Sequence, residues 1–248
     1  MLVSNQMHAR GVVNANTAET PNPGNNRPAG TVAGSRPQSM QIFTAIGKGG
    51  GGKSTTLANL ATVAAGCGLS VGVIDADPPQ SLCQWRGTRG KSTIKVVPCG
   101  EGEDLASKVE DARRSGIQLL FIDTAPTLGE HTLAAIRMTD LVLVMTRPTT
   151  LDLLVTRRRV ELLRTMSADF VCVINAAPPL RAGTDAPFVR QTRDSLCEIK
   201  AHPWRGQITH RHSIIQALID GKGVIEAEPD NPATHEFVRL WAAIGERG

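Results

Sequence analysis

The sequence predicts an open, doubly wound α/β fold, a mainly parallel sheet flanked by helices. Three observations carry that expectation. From residue 40 onward, short apolar runs alternate with longer segments of helical pattern. The apolar runs lack strict in-out alternation, as strands buried on both faces do. The helical segments between them are long enough to serve as crossovers joining parallel neighbours. In chain order the expected strands are Gln41–Ile46, Ser70–Asp75, Ile94–Pro98, Leu119–Asp123, Leu141–Thr146 and Phe170–Asn175, with helices including Ser54–Cys67, Asp104–Ser115 and Asp152–Met166. In such a sheet, ligands gather at the carboxyl ends of the strands.

Composition narrows the class. A chain of 248 residues, 41% hydrophobic and 20% charged, can bury one sizeable core. Residues 1–39 are rich in Asn, Pro, Gly, Ala, Ser and Thr without apolar periodicity, and are expected to be a disordered tail preceding a single domain at 40–248. Met40 stands directly before the first strand, so a misassigned start is the other reading of that tail. No apolar run approaches the ~18 residues of a membrane span, and the start lacks a basic-then-apolar export pattern. The five cysteines (Cys67, Cys83, Cys99, Cys172, Cys197) contain no C-x-x-C pair, which favours buried thiols in a reducing compartment. A formal charge of +4 permits a polyanionic partner without demanding one.

The decisive stretch runs Gly47-Lys48-Gly49-Gly50-Gly51-Gly52-Lys53-Ser54-Thr55, which satisfies G-x-x-x-x-G-K-[ST] between an expected strand and an expected helix. Glycines let the backbone close around phosphate oxygens, and the inward amides plus the helix dipole form an anion nest. Lys53 is placed to reach β- and γ-phosphates, and the Ser54 hydroxyl to ligate Mg²⁺. Gly49 to Thr55 are therefore the candidate ATP-binding residues. Two strands end in carboxylates. Leu119–Asp123 ends in Asp123, a Walker B arrangement for the Mg²⁺ shell. Val71–Ile74 leads into Asp75-Ala76-Asp77-Pro78, whose two carboxylates share one face of an extended chain. One would orient the attacking water and the other support the metal.

Lys48 is unneeded in an ordinary phosphate-binding loop. With it, Lys48–Ser54 reads K-G-G-x-G-K-[ST], which resembles the deviant Walker A box of the ParA/MinD superfamily. The resemblance implies that Lys48 acts in trans across an ATP-bound homodimer, and that Asp77 of the D-x-D-P box positions the hydrolytic water. It also implies metal ligation by Ser54, Asp75 and Asp123. Ser81-Leu82-Cys83-Gln84-Trp85, Ile208–Arg211 and Ile219–Glu226 resemble the small ParF-like branch, which has no DNA-binding domain ahead of the ATPase. Ile46 replaces an Asn common two residues before the signature lysine, and Asp77-Pro78-Pro79-Gln80 replaces the common D-P-Q. What the resemblance implies overall is a slow, partner-stimulated ATPase that binds nonspecific DNA as a dimer. It would partition plasmid, chromosome or other cargo with a centromere-binding or cargo-adaptor protein, in the cytoplasm at the nucleoid, without stable membrane association.

The remaining features keep alternatives open. Asn175 ends an expected strand, where it serves either as an adenine-binding amide or as a turn former before Ala176-Ala177-Pro178-Pro179. Arg157-Arg158-Arg159 sweep about 200° of a helix, so one should lay its stem beside the core. Lys200, Arg205, Arg211, Lys222 and Arg239 add charge for phosphate contacts or for ordinary solvation. The closing helical segment Thr234–Glu246 is expected to pack on the sheet, because Glu236 and Glu246 dilute the basic face a membrane-binding helix needs. An iron-protein-like reductase lacks suitably placed paired cysteines, and a tyrosine kinase acting on its own tail lacks any tyrosine. A module that holds ATP without hydrolysing it, and a MinD-like membrane-cycling ATPase, are the other functional readings.

Overall fold

A computed structural model describes residues 39–180 and 182–245. The expected disordered segment at 1–39 therefore lies outside the described residues, Ser39 excepted.

Six strands form one sheet: β1 (Gln41–Gly47), β2 (Val71–Ala76), β3 (Lys95–Pro98), β4 (Leu119–Thr124), β5 (Leu141–Thr146) and β6 (Phe170–Ile174). Their order is β3-β2-β4-β1-β5-β6 and every pairing is parallel. All six are the strands expected from the apolar runs, with ends shifted by a residue or so. The helices are α1 (Lys53–Gly66), α2 (Ser81–Thr88), α3 (Leu105–Arg114), α4 (Glu130–Met138), α5 (Thr150–Thr165), α6 (Pro187–Glu198), α7 (His212–Ile219), α8 (Val224–Ala227) and α9 (Pro232–Gly245).

Period-2 geometry sends alternate strand residues to opposite faces. Phe43, Val73, Phe121, Leu143 and Val173 join a cluster with α1, α2, α7 and α9. Ile46, Val144 and Ile174 face α5 and α6, while Ile42, Ile74 and Ile122 face α3 and α4. Both faces are covered, which is why the strands read as unbroken apolar runs. Beyond β6 the sheet edge is closed by an irregular parallel segment. Trp204 N–H donates to the Cys172 carbonyl (2.8 Å), Ile208 N–H to Ile174 (2.9 Å) and His210 N–H to Ala177 (2.8 Å). That cover removes an exposed strand edge.

The chain leaves β1 toward β2 and leaves β5 toward β6, in opposite directions, so a crevice opens at the carboxyl ends of β1 and its neighbours. α9 packs in the core through Phe237, Leu240, Trp241 and Ile244, as expected of Thr234–Glu246. Glu236 differs from the expectation of a polar face. It is buried and accepts hydrogen bonds from Thr209 N–H and Oγ1, both at 2.8 Å, because it faces the segment leading to α7 rather than solvent. Among the described residues no helix is long and apolar enough to cross a membrane.

Two sequence segments that resemble the same branch meet in space. Trp85 of α2 donates its indole N–H to the Lys222 carbonyl at 3.3 Å, and Arg89 grips Glu226 through two bonds of 2.7 and 2.8 Å. Val224 N–H donates to Asn59 Oδ1 of α1 at 2.8 Å. The later segment thus braces the helix behind the glycine-rich loop.

Candidate nucleotide site

The loop between β1 and α1 is shaped by contacts a side chain would destroy. Gly52 sits at φ 91°, in the left-handed region, and a Cβ there would stand 1.9 Å from Asn175 Nδ2. A Cβ on Gly47 would stand 2.7 Å from the Met145 carbonyl. Lys48 O accepts from Gly51 N–H at 2.9 Å, closing the turn, and Thr56 N–H returns to Gly52 O at 2.9 Å as α1 begins. The cradle therefore ends at the positive pole of a 14-residue helix, as an anion site requires. No acidic residue occupies that first helical turn.

Lys53 is buried at 5% exposure and forms no ion pair among the described residues. A buried, unpaired ammonium at the mouth of an anion nest suits a polyphosphate. Lys48 is placed differently. Its Nζ reaches Asp152 Oδ2 of α5 at 3.4 Å, within the same chain. Asp152 also receives Arg147 Nε at 3.0 Å and the Thr149 hydroxyl at 2.7 Å. Burial pushes the Asp152 carboxyl up, but these bonds and the Arg147 and Lys48 charges outweigh it and hold the group below its usual range.

Asp75 and Asp123 are register partners on β2 and β4, so both carboxylates leave the sheet at one level. Both are fully buried. Among the described residues Asp123 Oδ2 has no hydrogen-bond partner. Burial pushes its carboxyl up to about 7, against the pull of the Ser54 hydroxyl and Lys53 and with a further push from Asp75 and Asp77. An orphaned, buried carboxylate oxygen beside a serine hydroxyl fits a hard divalent cation such as Mg²⁺.

The Asp75 carboxylate is engaged by backbone amides. Its Oδ2 accepts from Leu82 N–H (2.8 Å) and Cys83 N–H (2.9 Å), and its Oδ1 is 3.4 Å from Asp77 N. It thereby caps α2, whose N-cap Gln80 lies at φ 51° and supplies no side-chain bond. The carboxylate fixes both ends of the loop carrying Asp77. Asp77 Oδ1 is buried without a partner among the described residues. Burial raises the Asp77 carboxyl above its ordinary range, partly opposed by Lys53 and assisted by Asp75.

Asn175 follows β6 and donates Nδ2 to the Gly51 carbonyl at 2.8 Å. It is therefore a brace for the loop. Sequence reasoning missed a second brace. Of the three successive arginines, Arg159 is the buried one, and its Nη2 donates to the Gly47 (3.2 Å) and Pro126 (2.6 Å) carbonyls. The helical sweep of the triplet signalled a buried member, but not its target. Arg157 and Arg158 are exposed. The described cysteines are all free thiols, and no cluster of candidate metal ligands from His, Cys, Asp and Glu alone occurs among the described residues.

Residues 42–224 match the family described as the CobQ/CobB/MinD/ParA nucleotide binding domain. The chain is 37% identical over 116 residues to "Maintenance of carboxysome distribution protein A" of Gloeobacter kilaueensis, covering 44% of this chain and 50% of that protein. It is 28% identical over 124 residues to "Protein ParA" of Rhizobium radiobacter, covering 49% and 55%. The match thus spans about half the length of these curated relatives. Among solved structures, apo McdA of Cyanothece superposes with a TM-score of 0.69 at 15% identity, covering 83% of this chain and 99% of that one.

Proposed function

We propose, from the premise that this chain belongs to the CobQ/CobB/MinD/ParA family of nucleotide-binding domains, that it is an ATPase whose ATP-bound homodimer positions cargo on DNA. The observation that carries this reading is the placement of two lysines around one loop. Among the described residues Lys53 lies buried without an ion pair inside it, while Lys48 is half-exposed at its lip with its ammonium on Asp152.

In this reading the amides of Gly49–Gly52 and Lys53 hold the phosphates, and Asn175 keeps the loop in shape. Ser54 and Asp123 would hold Mg²⁺, which when bound neutralises charge on the β- and γ-phosphates. Asp75 fixes the loop that carries Asp77, and Asp77 orients the water and receives its proton. Its raised proton affinity suits a general base better than a solvated carboxylate would. Lys48 leaves Asp152 to reach the phosphates of a second copy. Two triphosphates brought face to face repel unless cations intervene, so nucleotide and dimerisation become one event.

The DNA-bound, cytoplasmic arm of the proposal draws on the net charge of +4 and on the exposed arginines Arg157 and Arg158. A partner protein of centromere-binding or cargo-adaptor type would trigger turnover and release. The test is retention on nonspecific double-stranded DNA with ATP, ADP or no nucleotide across a salt series. ATP-dependent retention that falls steeply with salt is expected. Equal retention with ADP, or a flat salt response, removes the DNA arm.

A further inference from the structure

We infer that Arg159 is a positioning residue that makes the loop after β1 and the loop after β4 move as one body; this rests on the nucleotide reading above. Arg159 is 6% exposed, and its Nη2 joins the carbonyl of Gly47, the last residue of β1, to that of Pro126, two residues past β4. β1 and β4 are neighbours, but their ladder ends at Ala45 and Asp123, so the sheet does not tie these two carbonyls to each other; Gly47 stays in register only with Met145 of β5. A guanidinium satisfies both because it carries several donors in a fixed plane and no acceptor to repel them.

The two anchored loops bear different parts of the site. Gly47 O belongs to the peptide that leads into Lys48 and the phosphate cradle. Pro126 O belongs to the segment that leaves Asp123. Arg159 forms no ion pair among the described residues, and its Nε has no partner there. Burying a cation on such terms is costly, and an apolar residue would fill the space at less expense. What the arginine supplies and an apolar residue cannot is the link between loops.

Its place on α5 extends that link. Asp152 and Arg159 are seven residues apart, so they lie on one face of the helix, two turns from each other. The first holds the Lys48 ammonium and the second holds the peptide just before Lys48. One helix therefore grips residue 48 by side chain and by backbone, and extends the grip to the loop beyond Asp123. Binding of phosphates needs the amides of Gly49–Gly52 and Lys53, to which Arg159 makes no hydrogen bond. Catalysis needs the Asp123 loop aligned to those phosphates within a fraction of an ångström, which is what the bridge secures.

The test compares wild type with Arg159→Met and Arg159→Lys for ATP turnover, KM for ATP, fluorescent-ADP affinity and melting temperature. Arg159→Met should lower kcat by about tenfold or more while KM and ADP affinity stay within about threefold of wild type. Arg159→Lys, able to reach one carbonyl, should recover part of kcat. Unchanged kcat in Arg159→Met overturns the inference. So does a parallel loss of KM, ADP affinity and melting temperature, which is what mere structural support predicts. Where Arg159→Met does not fold, Arg159→Lys decides on the same split between kcat and KM. Failure of the wild type itself to bind ADP or ATP would instead strike the nucleotide reading.

Discussion

Lys48 and Asp152 are paired within one subunit, Nζ to Oδ2 at 3.4 Å, although the proposed task of Lys48 lies in another subunit. In the proposed dimer the lysine would exchange one anion for another as two copies meet. Asp152 is almost fully buried and keeps Arg147 and Thr149 as partners, so it can release Lys48 without being left bare. Asp152→Asn retains the cap on α5 and removes the competing charge. It should lower the protein concentration needed for the ATP dimer by about three- to tenfold, the scale of one partly exposed ion pair. Lys48→Ala should bind nucleotide as a monomer and fail to dimerise. Sedimentation with ATP and Mg²⁺ in an Asp77→Ala background reads both, and a stable Lys48→Ala dimer would sink the trans role.

Asp77→Ala should keep ATP bound while slowing hydrolysis by about a hundredfold, the usual range for a lost general base. Because burial raises the Asp77 carboxyl above its ordinary range, wild-type turnover should climb with pH at values where a solvated aspartate is already ionised. Single-turnover rates across acid to neutral pH measure this. Unaltered turnover in Asp77→Ala assigns the water elsewhere.

Asp123 makes a prediction about stability in the absence of metal. Its folded-state value of about 7 exceeds the ordinary 3.8, so the folded protein binds a proton there that the unfolded chain releases. That contribution is fully present below the ordinary value and is lost as pH rises through about 7. Asp123→Asn has no such proton to lose. In chelator, its melting temperature should match wild type at the acid end and exceed it above neutrality, by roughly 2–4 °C for each kcal/mol that the lost proton had contributed. Equal melting curves at pH 8 would show that the site tolerates the bare carboxylate.

Glu236→Ala strips a buried acceptor from Thr209 N–H, Thr209 Oγ1 and Arg211, whose Nη2 lies 3.1 Å away. Leaving those donors unsatisfied should cost about 3 kcal/mol, seen as a melting temperature lower by about 6–12 °C. Glu236→Gln, which keeps an acceptor, should lose less. Thermal unfolding by circular dichroism separates the two, and equal losses would point to packing volume rather than the bonds.

Most of the fold was legible because buried parallel strands advertise themselves as apolar runs, and each of the six lay where Gln41, Val71, Val96, Leu119, Leu141 and Phe170 mark it. The phosphate loop was legible because its chemistry is local, nine residues in a row. What stayed hidden depends on residues far apart in sequence. Nothing in Asp75-Ala76-Asp77 tells that the first carboxylate caps the helix starting at Ser81. Glu236 looked like a surface charge because its partner Thr209 sits on another element. Arg159 lies four strands and four helices from Gly47 in the chain, and only the β1–β4 adjacency brings its targets together.

The packing of α9 against α1 sets an order on the birth of this protein. Leu57, Leu60, Ala61 and Ala64 of the helix behind the phosphate loop share one cluster with Phe237, Leu240 and Ile244. During synthesis the loop and its helix emerge early, yet their apolar flank stays uncovered until residues 232–245 have been made. Contacts so distant in sequence form late, and the uncovered flank is a target for chaperones or for other nascent chains meanwhile. A ribosome-stalled chain halted before Pro232 should therefore be readily cut by protease within α1, even with ATP present. The same chain extended through α9 should resist.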